Sequence, residues 1–468
     1  MCGIFGIVST GSVAQKIIHG LYDLQHRGEQ AVGAAVFNGA EICDHREEGL
    51  VTEVFGERHR EHLLRKLSGL FGIGHTLYST IGKAGEAKQP RTFQPLIGDF
   101  HGQPFALGHN GNLIELDQLR AECERKGYQF LSRVSDTEVI VALLSTSSEK
   151  DFLEALVNVL PRLKGAFALV ILYQDKVIGV RDRYGIRPLC LGRDETSFML
   201  ASEECAFHTM GADFIREIGP AEVIVLGRNG IERSLLWTDN PCLRLCIFEF
   251  VYFARPDSRL ADTRVNTYRD RAGETVGKEH PVEADIVCAV PFSGEIYDLG
   301  VARVLGIPAA KAIVRNRYFS RRTFMSPRET DRKALQRLKF YVLREVVHGK
   351  RVVMTEDSIV RANTSPESVA ILREAGAIEV HERVGSSPIR YPCFLGMDFP
   401  TKVELAAAGL TVEELGRRVI QADSLGYLSL KGMIRASGLP KENLCLGCFT
   451  GEYPVEPPRN CNGRPPSF

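Results

Sequence analysis

A cysteine directly after the initiator methionine is the first residue of this chain with the chemistry of a nucleophile. Removal of Met1, which the small side chain of Cys2 favours, would leave Cys2 as the first residue. A free α-amine has a pKa of about 7.7–8.0, so it can act as general base for the thiol of the same residue. A Met-Cys start also occurs by chance, so the rest of the sequence must distinguish a nucleophile from an ordinary cysteine.

Four further motifs favour the nucleophile. Together with the N-terminus they read MCGIFGI, LQHRG (Leu24–Gly28), GHTLYST (Gly74–Thr80), HNGNL (His109–Leu113) and SDTEV (Ser135–Val139). In order and spacing these motifs resemble the class II glutamine amidotransferases, which are N-terminal-nucleophile hydrolases. The resemblance implies that Cys2 attacks the side-chain amide of glutamine.

The attacked amide develops an oxyanion, which needs hydrogen-bond donors that are fixed in advance. Asn110 offers a side-chain amide, and Gly111 lets its backbone N–H approach closely. The resemblance makes these two residues the oxyanion hole and implies that Asp136 binds the α-ammonium group of glutamine. We also count Arg27 among the substrate-binding residues. Simpler interpretations exist, since Asn-Gly favours a turn and Asp136 could cap a helix.

A second site is indicated by Val352–Ser365, which reads VVMTEDSIVRANTS. It resembles the phosphoribosylpyrophosphate motif of type I phosphoribosyltransferases. Two adjacent carboxylates at the end of a strand, Glu356 and Asp357, can bind the vicinal hydroxyls of a ribose. The backbone N–H groups of the loop and the hydroxyls of Thr364 and Ser365 can hold the 5-phosphate at a helix N-terminus. The alternative is an acidic turn that caps the next helix.

Further segments extend the resemblance from Cys2 to about Pro454. These are VPFSG (Val290–Gly294), RNRYFSRRTF (Arg315–Phe324), FEFVYFARPDS (Phe248–Ser258) and SSPIRYP (Ser386–Pro392). They match, with differences, the amidophosphoribosyltransferases. That family implies transfer of glutamine nitrogen to phosphoribosyl pyrophosphate, which gives 5-phosphoribosylamine for purine synthesis.

The same resemblance implies roles for further residues of the second site. Mg²⁺ and the ribose pyrophosphate would be bound by Ser293, Glu356 and Asp357. Substrate would also be contacted by Arg361 and, on a loop that closes over the pyrophosphate, by Arg317, Tyr318 and Arg322.

Four of the twelve cysteines form a separate candidate site. Cys445 and Cys448 make a C-x-x-C pair, and four thiolates without histidine suit either structural zinc or an iron–sulfur cluster. The C-x-x-C pair alone does not choose between them. One branch of the family carries a [4Fe–4S] cluster, and its ligands match Cys246, Cys393, Cys445 and Cys448. The resemblance therefore implies a [4Fe–4S] cluster with a structural role.

The sequence departs from the family at several of these positions, which indicates a divergent member. Leu77 stands where an arginine is expected to bind the glutamine carboxylate. Phe292 replaces a usual acidic residue, and Glu356 replaces an aspartate. Ala362 and Asn363 replace glycine and threonine in the phosphate loop, and Ala362 adds a methyl group where we expect the backbone to need a positive φ.

The elements that must position these residues fall into two regions. Residues 1–238 read as mixed strand and helix, which suggests stacked sheets covered by helices, and the resemblance implies the αββα layers of a glutaminase domain. Residues 239–454 read strand, helix, strand, which predicts a parallel sheet with crossover helices, and the resemblance implies a type I phosphoribosyltransferase domain. The fold class is thus α+β followed by α/β, and residues 455–468 form a proline-rich tail.

The bulk composition limits the alternatives. Lys plus Arg and Asp plus Glu both total 58 in 468 residues, so nothing in the net charge favours nucleic acid as a partner. The sequence shows no apolar run long enough for a membrane span and no secretory signal, so we expect a cytoplasmic protein. The family resemblance implies a homo-oligomer, either a dimer or a tetramer. Two other functions stay open. One is a divergent enzyme that acts as a glutaminase alone or as an ammonia-dependent or other-acceptor amidotransferase. The other is a non-catalytic regulator that binds phosphoribosyl pyrophosphate or nucleotides.

Overall fold

The computed structural model describes residues 2–78, 92–316 and 339–458. Within these ranges, thirteen strands form the N-terminal part. In chain order they are β1 (Gly3–Ser9), β2 (Ala31–Phe37), β3 (Ile42–Glu48), β4 (Phe71–Leu77), β5 (Leu96–Phe100), β6 (Gln103–Ile114), β7 (Lys164–Tyr173), β8 (Lys176–Arg181), β9 (Cys190–Arg193), β10 (Ser197–Ala201), β11 (Asp213–Glu217), β12 (Glu222–Gly227) and β13 (Gly230–Leu236). The helices of this part are α1 (Ala14–Asp23), α2 (Val51–Val54), α3 (Glu57–Lys66), α4 (Asp117–Arg125), α5 (Asp136–Ser145), α6 (Phe152–Val159) and α7 (Cys205–His208).

These strands form two antiparallel sheets that pack face to face. The first sheet has the order β11-β9-β10-β1-β4-β2-β3, and the second has the order β13-β12-β8-β7-β6-β5. Ile73 of the first sheet and Val170 of the second belong to the same buried core between the sheets. Ile17 and Leu21 of α1 cover the outer face of the first sheet, and Leu144 of α5 packs on the outer face of the second. This confirms the predicted αββα layers.

Ten shorter strands lie in the described residues of the C-terminal part. They are β14 (Leu245–Cys246), β15 (Arg259–Leu260), β16 (Thr263–Arg264), β17 (Ile286–Ala289), β18 (Ile313–Arg315), β19 (Phe340–Val342), β20 (Arg351–Glu356), β21 (Glu379–Val384), β22 (Ser424–Tyr427) and β23 (Leu444–Cys445). Its helices are α8 (Val265–Glu279), α9 (Tyr297–Leu305), α10 (Arg344–Val347), α11 (Ser365–Glu374), α12 (Val412–Glu414), α13 (Leu430–Ser437) and α14 (Gly447–Thr450). A π-helical turn, Glu249–Phe253, follows β14.

A four-stranded sheet with the order β17-β20-β21-β22 is the centre of this part. All three strand pairs are parallel, as predicted from the alternation of strands and helices. Val353 on one face packs with α8 and α9, whereas Met354 on the other face packs with Val369 of α11. Because the carboxyl ends of parallel strands meet at one edge, the residues after β17 and β20 lie together there.

A two-residue parallel ladder joins the beginning and the end of the C-terminal part. Leu245 of β14 pairs with Leu444 of β23, and Cys246 pairs with Cys445. The interval between β13 and β14 contains the predicted domain boundary at residue 238. No helix within the described residues is long and apolar enough to cross a membrane.

Candidate active sites

Cys2 lies at the start of β1, where the two sheets of the N-terminal part meet. Its backbone nitrogen donates a hydrogen bond to Asn110 Oδ1 at 3.1 Å. Its thiol is buried, 3.8 Å from the carbonyl oxygen of Tyr78, and burial raises the pKa of the Cys2 thiol. The thiol therefore needs a neighbouring base at neutral pH, and the amine of Cys2 becomes such a base once Met1 is removed.

The side chain of Asn110 is oriented by Cys2 and keeps one donor available. Asn110 is fully buried in β6, and its Oδ1 is used by the Cys2 nitrogen. Its Nδ2 has no hydrogen-bond partner within the described residues. A buried amide donor without a partner is costly unless a ligand completes it. A donor fixed beside the nucleophile is what an oxyanion requires.

Gly111 presents its backbone N–H away from the neighbouring strand β7. Its cross-strand partner is Phe167, whose backbone N–H and C=O both bond to Asp182 on the opposite side. Gly111 and Phe167 are therefore not a hydrogen-bonded pair. Gly111 has φ +155°, and a Cβ there would lie 1.9 Å from the Ala166 carbonyl oxygen. Only glycine fits, as the predicted oxyanion role requires.

Asp136 begins α5 beside these residues. Its Oδ2 accepts the backbone N–H of Leu113 at 3.0 Å and lies 3.7 Å from His109 Nδ1, and its side chain is 18% exposed. Ser135, not Asp136, caps the helix by accepting the N–H of Glu138. The carboxylate of Asp136 is thus oriented toward the Asn110–Gly111 strand and keeps an accessible portion for an ammonium group.

The structure changes the predicted role of Arg27. Its guanidinium is fully buried and forms ion pairs with Glu203 at 2.5 Å and with Glu249 at 3.0 Å. Its Nε donates to the carbonyl oxygen of Cys2 at 3.0 Å. Each of its three nitrogens is therefore already bonded to a protein oxygen, and Arg27 positions the backbone of Cys2 rather than binding glutamine. Arg27 therefore does not provide the carboxylate contact that is missing at Leu77, the last residue of β4, where the family has an arginine.

Sequence reasoning missed the two acidic partners of Arg27. Glu203 follows β10, whereas Glu249 begins the π-helical turn of the C-terminal part. Both side chains are fully buried. Burial opposes ionisation of Glu203, but His26 and Arg27 hold its pKa well below the usual range. No short motif contains these partners, because they are 176 and 222 positions away from Arg27.

At the second site, Glu356 points into the protein. Its carboxylate accepts a hydrogen bond from Ser365 Oγ at 2.6 Å and lies beside Glu382 of the neighbouring strand β21. Burial raises the pKa of Glu356, and the charges of Glu382 and Asp357 raise it further. Burial also raises the pKa of Glu382, to about 7. The Ser365 hydroxyl therefore orients Glu356, and Glu382 is a further acidic residue that the motif did not predict.

Asp357 lies next to the loop that follows β17. Ser293 from that loop forms a side-chain hydrogen bond with Asp357, and Ser358 Oγ donates to its Oδ2 at 2.5 Å. Burial raises the pKa of Asp357. The structure thus brings Ser293, Glu356 and Asp357 together at the carboxyl edge of the parallel sheet.

The loop between β20 and α11 is the predicted 5-phosphate loop. Ala362 has φ +51°, so the backbone does adopt a left-handed conformation at the substituted position. Thr364 is the N-cap residue of α11, and its side chain makes no capping hydrogen bond. Arg361 differs from the prediction of a substrate contact: its Nε donates to Glu404 at 2.9 Å and its Nη2 to the Asp398 carbonyl oxygen at 2.6 Å. These bonds turn Arg361 toward its own loop. Predicted residues Arg317, Tyr318 and Arg322 lie outside the described residues.

The four predicted thiol ligands are neighbours. Cys246 and Cys445 are directly paired across β14 and β23. Cys448 lies in α14, and its backbone oxygen accepts the N–H of Tyr391, two residues before Cys393, at 3.1 Å. Burial raises the pKa of Cys448, and the charges of Cys393, Cys246 and Cys445 raise it further. Burial likewise raises the pKa of Cys246 to about 11.

The kind of metal group that these thiols suit is limited by their chemistry. Within the described ranges, no group of three or more His, Cys, Asp or Glu side chains is arranged to hold a metal ion. Four neighbouring, mostly buried thiols with no histidine match the donors of both structural zinc and an iron–sulfur cluster.

A cysteine at the N-terminus of an αββα core, with an available amide donor beside it, defines an N-terminal-nucleophile glutamine amidotransferase joined to an α/β domain. A family model described as a glutamine amidotransferase domain matches residues 85–209. The chain is 43% identical to the amidophosphoribosyltransferase of Methanocaldococcus jannaschii, with 97% of this chain and 98% of that protein covered. It is 40% identical to the amidophosphoribosyltransferase of Mycobacterium tuberculosis, with 98% and 87% covered.

A solved structure of similar shape is the glutamine phosphoribosylpyrophosphate (PRPP) amidotransferase from B. subtilis, complexed with ADP and GMP. The TM-score is 0.90 at 38% identity, and the match covers 98% of this chain and 99% of that chain. A second structure with the same score and identity is described as the allosteric regulatory enzyme of purine biosynthesis. The chain belongs to the amidophosphoribosyltransferase family, and its two domains have the glutaminase and phosphoribosyltransferase folds predicted from the sequence.

Proposed function

We propose that this chain transfers the amide nitrogen of glutamine to phosphoribosyl pyrophosphate, giving 5-phosphoribosylamine, glutamate and pyrophosphate. This is the first step of purine biosynthesis. The observation that carries the proposal is Asn110 Nδ2, which has no partner in the part of the chain that the structure describes and is fixed beside Cys2 by the bond from the Cys2 nitrogen. The same chain places Glu356 and Asp357 at the end of a parallel strand, where an acceptor sugar can bind.

In the glutaminase half, the α-amine of Cys2 takes the proton of its thiol, and the sulfur attacks the amide carbon of glutamine. The oxyanion receives hydrogen bonds from Asn110 Nδ2 and from the Gly111 N–H. The amide nitrogen leaves as ammonia and takes up the proton, and water then hydrolyses the thioester to glutamate. Asp136 binds the α-ammonium group and fixes the substrate at the nucleophile.

In the synthetic half, ammonia attacks C1 of the ribose and pyrophosphate leaves. Asp357, oriented by Ser293, accepts hydrogen bonds from the ribose hydroxyls. The backbone of the loop from Ser358 to Thr364 and the hydroxyl of Thr364 hold the 5-phosphate at the N-terminus of α11. Glu356, turned inward onto Ser365, fixes the end of β20.

Two cofactors fit residues of this chain. Of the three predicted ligands Ser293, Glu356 and Asp357, the hydroxyl of Ser293 and the carboxylate of Asp357 would hold Mg²⁺, because Glu356 is turned inward onto Ser365. Mg²⁺ there would neutralise charge on the pyrophosphate. Cys246, Cys393, Cys445 and Cys448 would hold a [4Fe–4S] cluster, which would connect the ends of the C-terminal domain.

The test follows both products in one assay. Purified protein is mixed with amide-¹⁵N glutamine, phosphoribosyl pyrophosphate and Mg²⁺, and glutamate, pyrophosphate and labelled phosphoribosylamine are measured. We expect pyrophosphate release that depends on glutamine, with ¹⁵N in the sugar product. Glutamate without pyrophosphate would indicate a glutaminase or another acceptor. Binding of phosphoribosyl pyrophosphate without turnover of either substrate would indicate a regulator.

A further inference from the structure

A segment of the C-terminal domain packs directly against the oxyanion residues. This segment, residues 393–396, is called the clamp segment below. Asn112 Nδ2 donates to the carbonyl oxygen of Phe394 at 2.8 Å. Gly396 has φ +105°, and a Cβ there would lie 3.2 Å from the carbonyl carbon of Gly111. A side chain at position 396 would therefore crowd Gly111, so the clamp segment and the backbone of Gly111 are in close contact.

Arg187 fixes the clamp segment from the glutaminase side. Its side chain is fully buried. Its Nε donates to the Leu395 carbonyl oxygen at 3.1 Å, and its Nη2 donates to the same oxygen. Its Nη1 lies 3.5 Å from Glu249 Oε1. A planar guanidinium that grips one carbonyl with two nitrogens fixes direction as well as distance.

The clamp segment contacts Gly111 where the neighbouring strands leave this residue open. Gly111 is not hydrogen-bonded to its cross-strand partner, as the bonds of Phe167 to Asp182 show. The neighbouring strand β5 pairs with β6 only as far as Leu107. The clamp segment lies against the carbonyl group of Gly111, so it restrains the backbone of the residue whose N–H faces the oxyanion.

We propose that Arg187 and Asn112 are positioning residues of the glutaminase reaction, which hold the clamp segment against Gly111 and so keep its N–H directed at the oxyanion. The inference rests on the glutaminase half of the proposed function. The clamp segment also begins with Cys393, one of the predicted cluster ligands, whose sulfur accepts the N–H of Leu395 at 3.4 Å.

The proposal predicts a particular kinetic change in the full-length protein. An oxyanion donor acts only in the transition state, so its misplacement lowers kcat and leaves KM for glutamine unchanged. Loss of one donor costs about 10²–10³ in kcat. For Arg187→Lys and for Asn112→Ala we expect loss of at least about tenfold in kcat of glutamine hydrolysis. Alkylation of Cys2 by iodoacetamide forms no oxyanion, so Cys2 in the variants should be alkylated at the same rate as in the unmodified protein. Ammonia-driven synthesis by the variants should persist.

Arg383→Lys is the matched control. Arg383 is also buried and also donates to backbone oxygens, those of His280 and Glu382, but it belongs to the parallel sheet. Its substitution should leave glutamine hydrolysis unchanged. If kcat also falls tenfold in Arg383→Lys, the effect is general destabilisation and the proposal is wrong.

Two other results would also overturn the proposal. One is a rise in KM with kcat unchanged in both test variants. The other is slower alkylation of Cys2, which would mean that the nucleophile itself has moved. Failure of the proposed function gives a different result, since the unmodified protein would then hydrolyse glutamine without releasing pyrophosphate. The kcat of glutamine hydrolysis could still be compared between that protein and the two test variants.

Discussion

The buried ion pairs around Arg27 connect the glutaminase nucleophile to the C-terminal domain and can be perturbed by one substitution. Both oxygens of Glu249 accept from Arg27, from Nη2 and Nη1 at 3.0 Å each. Glu249→Gln keeps the shape of the side chain but places an NH₂ group against an arginine N–H. Two donors then face each other in a fully buried site, and Arg27 loses half of its charge compensation.

The expected size of the effect follows from that geometry. Breaking a buried ion pair by removal of one partner costs about 3–5 kcal/mol. A unit of roughly 150–250 residues shifts its Tm by about 2–4 °C per kcal/mol, so Glu249→Gln should lower Tm by about 6–20 °C. Because Arg27 also donates to the Cys2 carbonyl, glutamine hydrolysis should fall more than ammonia-driven synthesis.

Thermal unfolding by calorimetry, together with both activities, provides the assay. Glu232→Gln is the control, since Glu232 pairs with Lys176 at 2.7 Å but is 38% exposed, and an exposed pair contributes less than about 1 kcal/mol. If Glu249→Gln and Glu232→Gln shift Tm equally, the buried network does not stabilise the fold as described. Equal loss of both activities would refute the link from Arg27 to Cys2.

Four further results are expected. Cys2→Ala should abolish glutamine-driven synthesis and keep ammonia-driven synthesis, because the acceptor site lies in the other domain; equal loss with both donors would contradict this. Protein purified without oxygen should contain about four irons per chain, and zinc without iron would exclude the cluster. Leu77→Arg should lower KM for glutamine by at least about tenfold, whereas Leu77→Met should not; an unmodified protein that already binds glutamine tightly would disprove the inference. Burial opposes ionisation of the Glu203 carboxyl, but His26 and Arg27 outweigh it and lower its pKa from 4.5. Ionised Glu203 should therefore stabilise the fold above about pH 4.5, and this stabilisation is lost as the pH falls below that value. In acid denaturation, the free energy of unfolding of Glu203→Gln should depend less on pH in this range than that of the unmodified protein.

Residues whose chemistry requires a particular type were predictable from the sequence. Cys2 and Asn110 are joined by the hydrogen bond from the Cys2 nitrogen to Asn110 Oδ1, as the resemblance of five ordered motifs to the glutaminases implied. The parallel sheet followed from the alternation of strands and helices. The positive φ of Ala362 was also expected, since family members have glycine at this position.

Residues whose role depends on a distant partner were not predictable. Arg27 looked like a substrate ligand because it is a cation in a glutaminase motif. Its actual partners are distant in sequence: Glu203 lies 176 positions away in the same domain, and Glu249 belongs to the C-terminal part and meets Arg27 only after the domains pack. Glu382 was missed for the same reason, since it adjoins Glu356 only through the pairing of β20 with β21. Tertiary packing, not local sequence, decides which charges become buried together.

The ladder between β14 and β23 has a consequence for the order in which the protein is made. Cys246 is synthesised about two hundred positions before its partner Cys445. The N-terminal sheets end at Leu236 and can fold while translation continues, since domains fold as units from the N-terminus. The C-terminal part cannot close until almost the entire chain has been translated. A ribosome that stops between Leu236 and Leu444 therefore leaves a nascent protein whose N-terminal sheets are complete, while its second domain is open and Arg27 lacks the contacts of the folded second domain.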